Sequence, residues 1–74
     1  MPELPNISGD EAIKIFKRLG FYGARQKGSH VVMRRERKGC VIPRHKELAI
    51  GTLSSALKQA GISPEEFLDA YKNK

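Results

Sequence analysis

Residues 22–43 read YGARQKGSHVVMRRERKGCVIP, and this stretch decides the fold. It has no helical period, glycines interrupt it, and its valines and isoleucine are β-branched, as strands prefer. The predicted strands and turns, in chain order, are Ala24–Lys27, Gly28-Ser29, His30–Arg35, Lys38-Gly39 and Cys40–Pro43. Pro43 ends the third strand because it has no amide hydrogen to donate. The stretch therefore predicts a three-stranded antiparallel meander.

Amphipathic helices flank this stretch on both sides. Before it, Ser8 and Glu11 have the spacing of a capping box at the start of a helix, and Gly20 ends that helix. After it, apolar residues at helical spacing predict a second helix over Thr52–Ala60. The capping pattern recurs at Ser63 and predicts a third, short helix.

The predicted order of elements is α-β-β-β-α with a short extra C-terminal helix, which is an α+β fold. Both long helices must bury their apolar stripes against one face of the sheet, so the opposite face stays in solvent. Residues 1–74 are predicted to form a single domain, with residues 1–6 as an extended N-terminal arm. A chain of 74 residues excludes a second domain and a large enzyme with a closed cofactor cavity.

The composition also bears on location. No apolar run approaches the roughly 20 residues that span a bilayer, and no N-terminal segment is typical of a signal peptide. The single cysteine, Cys40, excludes an internal disulfide and is predicted to be a small core residue. We therefore expect a cytoplasmic protein in a reducing compartment, without membrane contact.

The net charge of +6 is concentrated in one part of the chain. Residues 25–46 contain eight basic residues and one acid and carry +7, whereas the other 52 residues carry −1. A charge run is ordinarily a solvated basic face. Because the rest of the chain is close to neutral, this concentration instead favours a polyanionic partner, above all nucleic acid.

His30 is the candidate catalytic residue. The sequence has no glycine-rich phosphate loop and no paired carboxylates, so acid–base chemistry near neutral pH falls to His30 or His45. Strand alternation places His30 on the same face as Val32 and Arg34, away from the helices. There an imidazole can accept the proton of a ribose 2′-hydroxyl while nearby cations stabilise the transition state. The alternative is a surface histidine that only hydrogen-bonds a phosphate or water.

Other polar residues near His30 in the sequence are candidates for binding RNA: Arg25, Lys27, Ser29, Arg34, Arg44 and His45. For Ser29 the alternative is a hydroxyl that stabilises the turn, and for His45 it is a role in orienting its loop. Cys40 and the two histidines lack zinc-ligand spacing and a fourth ligand, so neither a metal nor a cofactor is predicted. The aromatic residues, Tyr22 included, are predicted to lie in the core or at its rim; the alternative, that they are platforms for base stacking, is disfavoured because the sequence shows no sheet-surface aromatics of the RNA-recognition-motif type.

Several motifs, taken together and in order, resemble the HicA (YcfA-like) toxin family. The run GSHVVM at Gly28–Met33 resembles the family signature, and Ile42–His45 resembles its proline–x–histidine element. Further matching motifs lie at Gly51–Leu53, Leu57–Ile62, Glu66–Phe67 and Lys17–Phe21. Each motif is weak alone, but their combination is specific and covers the chain from about residue 9 to 68.

The resemblance implies a double-stranded-RNA-binding-domain-like fold, in agreement with the element order read from the residues. It also implies a bacterial or archaeal toxin that cleaves mRNA and inhibits translation, with its catalytic histidine at His30. The implied partners are mRNA and a HicB-like antitoxin, and we expect the free toxin to be a monomer. Two alternatives are a non-catalytic RNA-binding module of the same fold and a domain that docks an acidic protein.

Overall fold

The computed structural model describes residues 3–73 and has the predicted α+β order, with a third helix at the C-terminal end. The elements are α1 Gly9–Arg18, β1 Tyr22–Lys27, β2 His30–Arg35, β3 Lys38–Pro43, α2 Ile50–Ala60 and α3 Pro64–Lys72. Of the predicted N-terminal arm, residues 1 and 2 lie outside the described part. Residues 3–6 form neither helix nor strand, and Leu4 packs against the core.

The ends of α1 are fixed by local sequence, as predicted. The Glu11 amide donates to Ser8 Oγ at 3.1 Å, and the Ser8 amide donates to Glu11 Oε1 at 3.5 Å, which completes the capping box. At the other end Gly20 takes a φ of +93°, and the Phe21 amide donates to the Phe16 carbonyl at 3.0 Å. This geometry folds the Phe21 ring back onto Phe16, with 5.2 Å between the ring centroids.

The sheet is the predicted antiparallel meander with strand order β1-β2-β3. Its first turn is at Gly28-Ser29, as predicted, but the predicted turn at Lys38-Gly39 is wrong. The chain turns at residues 36 and 37, with Glu36 at a φ of +55°. Gly39 instead lies in β3, where an added Cβ would stand 3.0 Å from the Met33 carbonyl oxygen. Gly39 therefore allows β3 to lie close to β2. Both outer strands begin two residues earlier than predicted.

The second long helix, α2, begins at Ile50 instead of the predicted Thr52. Its N-cap residue is Ala49, whose side chain makes no capping hydrogen bond. The preceding Leu48 is 1% exposed and its amide donates to the Ile7 carbonyl at 2.8 Å. Burial of Leu48 fixes the entry of the chain into α2, so the helix starts without the polar cap that sequence patterns rely on.

The end of α2 and the start of α3 agree with the sequence prediction. Gly61 has a φ of +71°, and the Ile62 amide donates to the Leu57 carbonyl at 3.0 Å. Ser63 and Glu66 form the second capping box at the start of α3. The apolar face of α3 then brings Phe67 into the core.

The core lies between the helices and one face of the sheet, as predicted. The strand side chains that enter it are Val31 and Met33 from β2 and Cys40 and Ile42 from β3. Cys40 is 3% exposed, which confirms the predicted core position, and this burial raises the pKa of its thiol to about 11. The other sheet face stays in solvent, and all six residues of β1 are exposed.

None of the helices in the described part of the chain has the length and apolar content needed to cross a bilayer.

Candidate active site and nucleic-acid interface

His30 is the first residue of the central strand and is exposed. In the sheet register it stands between Lys27 of β1 and Pro43 of β3. Val31 is buried beneath the helices, so alternation points His30 to the solvent side of the sheet. We call this solvent side the open face. It consists of the outward side chains of β1–β3, those opposite in direction to Val31, Met33, Cys40 and Ile42.

Two of the predicted cations share the open face with His30. Lys27 is the direct cross-strand neighbour of His30, a pairing that places Cβ atoms about 5 Å apart. Arg34 lies four residues further along β2, which is about 13 Å at the strand rise. Arg25 pairs with Val32, but a bulge between Gly23 and Arg25 disturbs the alternation there. The three strands contain five basic residues and no acid, but two of the five, Arg35 and Lys38, lie on the helical side of the sheet.

The remaining predicted residues lie where three segments meet. The Arg44 amide donates to the Ser29 carbonyl at 2.6 Å, which joins the exit of β3 to the first turn. The His45 carbonyl accepts from the Gly9 amide at 2.9 Å, which joins the same loop to the start of α1. The backbones of Ser29 and His45 are therefore structural, whereas the His45 side chain is exposed.

The Arg44 side chain has a protein partner that the sequence did not reveal. Its Nε donates to Asp10 Oδ1 at 2.6 Å and its Nη2 to Asp10 Oδ2 at 3.3 Å. Hydrogen bonding to Arg44 lowers the pKa of the Asp10 carboxyl, and the same bond raises the pKa of Arg44. Asp10 precedes Arg44 by 34 residues, so no local pattern could have paired them.

A groove of about 540 Å³ runs between α1 and β1. Lys14 and Lys17 of α1 line one side of it, and Arg25 lines the other. Among the described residues that line the groove, Asp10 is the one acid. The sequence placed the two lysines off the apolar stripe of α1, but it could not show that this side of the helix adjoins β1.

The structure differs from the sequence prediction for one aromatic residue. Tyr22 is not packed into the core or its rim; its side chain is 56% exposed, and it pairs with Arg34 on the open face. Val41, which pairs with Val32 on the same face, is 43% exposed. The open face therefore combines cations with an aromatic ring and aliphatic surface.

Within residues 3–73, no three histidine, cysteine, aspartate or glutamate side chains come together as potential metal ligands. The chemistry that the open face offers is an imidazole beside an ammonium group. Such a pair can accept a proton and stabilise a neighbouring phosphate in the same place.

The chain matches a known protein family. The family described as the HicA toxin of bacterial toxin–antitoxin systems matches residues 9–62, well over half of the chain. The match covers α1, the whole sheet and α2, and it includes His30 and the loop after β3. No curated protein matches the chain.

Proposed function

The chain belongs to the HicA toxin family of bacterial toxin–antitoxin systems, whose members cleave mRNA, and we propose that His30 is the general base of this cleavage. One observation carries the proposal. His30 is exposed at the start of the central strand, directly opposite Lys27 and on the same open face as Arg34. A substrate phosphate is attracted to these cations, and the imidazole lies beside Lys27.

The reaction follows from the chemistry of RNA. The neutral His30 imidazole takes the proton of a ribose 2′-hydroxyl, and the 2′-oxygen attacks the adjacent phosphorus. The bond from phosphorus to the 5′-oxygen breaks, and this oxygen takes a proton from water. The resulting hydroxide removes the proton from the His30 imidazolium, so the products are a 2′,3′-cyclic phosphate and a 5′-hydroxyl. Lys27, opposite His30, stabilises the extra negative charge of the transition state. No step requires a metal ion.

The first test compares wild type with His30→Ala on purified RNA. One general base typically contributes about 10²- to 10⁴-fold in rate, so the variant should lose cleavage and growth inhibition. Because His30 is exposed, the substitution should change the free energy of unfolding of the protein by less than about 0.5 kcal/mol. The matched variant is His45→Ala, which should affect RNA binding more than turnover. Full cleavage by folded His30→Ala protein would reject the assignment.

The same assay separates the alternatives. A non-catalytic RNA-binding module would bind RNA without cleaving it, and wild type and His30→Ala would then behave alike. An EDTA arm examines the metal requirement, and we expect cleavage to be unchanged by the chelator. Loss of cleavage that Mg²⁺ or Zn²⁺ restores would show that a metal takes part.

We further propose that the antitoxin is HicB-like and silences the toxin by covering the open face. Residues 25–46 carry +7, so an acidic partner should associate quickly, at a rate that falls as salt rises. Docking there buries His30 or blocks the access of RNA to it. The alternative is an antitoxin that binds the helical side and acts from a distance.

Hydrogen exchange of the toxin, with and without antitoxin, decides between these two modes. We expect slower exchange in β2 around His30 when the antitoxin is bound. Protection confined to residues 9–20 and 52–60, with β2 unchanged, would show that the antitoxin binds the helices.

A further inference from the structure

We propose that the open face binds single-stranded RNA and that Tyr22 is the platform on which one base stacks. The inference rests on the proposed function, because it names the substrate conformation and a recognition residue for the same face.

The orientation of Tyr22 follows from its neighbours along and across the strand. Phe21, one residue earlier, is 3% exposed and contacts Phe16 in the core. Tyr22 is 56% exposed and stands directly opposite Arg34, whose side chain is on the open face. The pairing at Tyr22 precedes the bulge in β1, so the bulge does not disturb it. The phenol ring therefore lies on the same side of the sheet as His30.

The surroundings of Tyr22 match the two parts of a nucleotide. Val32 and Val41 provide apolar surface between the Tyr22–Arg34 pair and the Lys27–His30 pair, and Val41 is 43% exposed. Arg34 and Lys27 provide charge for the phosphates. Sites that bind single strands combine aromatic rings for the bases with cations along the backbone.

Duplex RNA would not use this combination. In an A-form helix the bases are stacked on one another, and a protein meets the phosphates and 2′-hydroxyls instead. An exposed ring gains its stacking energy only from a base that has left a duplex or was never in one. The exposure of Tyr22 therefore favours single-stranded substrate.

The sheet geometry also limits which base Tyr22 can hold. Tyr22 pairs with Arg34, and Arg34 lies about 13 Å from His30 along β2. Successive bases of a stacked strand are about 3.4 Å apart, so the held base lies within about four nucleotides of the phosphate at His30. An extended strand places it fewer nucleotides away.

The test measures RNA affinity in a His30→Ala background, in which the RNA stays intact. Fluorescence anisotropy with labelled single-stranded RNA compares Tyr22→Ala, Tyr22→Leu and Tyr22→Phe. The alanine and leucine variants should bind RNA about 5- to 150-fold more weakly, because this is the loss of affinity that removing one base–aromatic stack typically causes. The phenylalanine variant keeps the ring and should keep its affinity. The leucine variant keeps an apolar side chain in β1 and carries the test if the alanine variant fails to fold.

A matched control and an abasic scan sharpen the test. Ile50→Ala removes another exposed apolar side chain, at the start of α2 beside Leu4 and Ser54, and should leave the affinity unchanged. Removing single bases near the mapped cleavage site should weaken binding at one position within four nucleotides of it. That same removal should have no effect on Tyr22→Ala protein, because the stacking partner is already absent.

Three results would overturn the inference. Unchanged single-strand affinity in both Tyr22→Ala and Tyr22→Leu is the first. An equal loss of affinity for duplex RNA is the second, and weaker binding of antitoxin with unchanged RNA binding is the third. Arg34→Ala, measured in the same assay, distinguishes failure of this inference from failure of the proposed RNA-binding face. If it weakens RNA binding while the Tyr22 variants do not, only this inference fails. If none of them weakens binding, the proposed RNA-binding face fails as well.

Discussion

Individual side chains around His30 have different roles although most of them are basic. Lys27 faces the imidazole across the strand pair, and Arg34 marks the far end of the open face. Arg44 is adjacent in space but its guanidinium is held by Asp10. A basic side chain near His30 is therefore not always available to bind RNA. Arg44 fixes the loop after β3 against α1, and any contact it makes with RNA must compete with Asp10.

The Asp10–Arg44 pair predicts an acid-dependent contribution to stability. Arg44 lowers the pKa of Asp10 in the folded state below its ordinary value of 3.8. The contribution of the pair is therefore complete above about pH 4 and is lost as the pH falls through the lower, folded pKa. We expect Asp10→Asn to lower the thermal midpoint at pH 7 and to match wild type in strong acid.

The control for this prediction is Arg44→Gln, which removes the other partner. Thermal scans of both single variants and the double variant form a thermodynamic cycle. If the pair acts as a unit, the double variant is no less stable at pH 7 than either single variant. Additive losses would mean that Asp10 and Arg44 stabilise the fold through separate contacts.

At the scale of elements, the site depends on how α1 meets the end of β3. Gly9, in the first turn of α1, is buried, and its amide donates to the His45 carbonyl at 2.9 Å. A Cβ at this position would stand 2.0 Å from the Pro43 carbonyl oxygen and 2.8 Å from Arg44 Cα. Both are backbone atoms and cannot rotate away. Only glycine lets the helix approach so closely, and Pro43 is the residue opposite His30.

We predict that Gly9→Ala destabilises the protein by about 1–3 kcal/mol, the usual cost of overpacking. Displacement of Pro43 should also lower RNA cleavage. Urea unfolding measures the first effect and a cleavage assay of the folded variant the second. Gly51→Ala is the matched control, because a Cβ there meets nothing within 4 Å. It should be neutral or stabilising by up to about 1 kcal/mol, as alanine is favoured over glycine in helices. Equal stability of the two variants would contradict this account of Gly9.

On the scale of the whole molecule, the apolar core lies on one side of the sheet, and the other side is an open face with basic side chains. The helical side holds the apolar core, which includes Phe16, Phe67 and Leu53. The open face holds Lys27 and Arg34, and the neighbouring groove holds Lys14, Lys17 and Arg25. The proposed binding of RNA and antitoxin to the open face would therefore leave the core undisturbed.

This division predicts that the position of a charge matters more than its number. Arg34→Glu should weaken RNA binding and reduce the slope of log affinity against log salt by about one, because a phosphate contact is lost. Lys72→Glu changes the net charge equally but lies in the last turn of α3, so it should leave both quantities close to wild type. Binding titrations over a range of salt concentrations measure the slopes. Equal effects of the two substitutions would show that net charge alone governs binding.

Local patterns were sufficient for most of the fold. The two capping boxes at Ser8 and Ser63 and the glycine stop at Gly61 were predicted from neighbours within a few residues, and the structure has all three. The second hairpin was placed wrongly because Glu36, instead of a glycine, takes the positive φ. A non-glycine residue in that conformation leaves no compositional signal.

The sequence by itself determined the order of elements, the antiparallel meander and the side of the sheet on which His30 lies. These depend on periods of 2 and 3.6 residues and on caps, which are local properties of the chain. Only the tertiary structure decided that Asp10 holds Arg44, that Lys14 and Lys17 lie across a groove from Arg25, and that Gly9 touches Pro43. The physical reason is that these contacts depend on how α1 is rotated and seated against the sheet. That seating is set by the packing of the whole core, which joins residues distant in sequence.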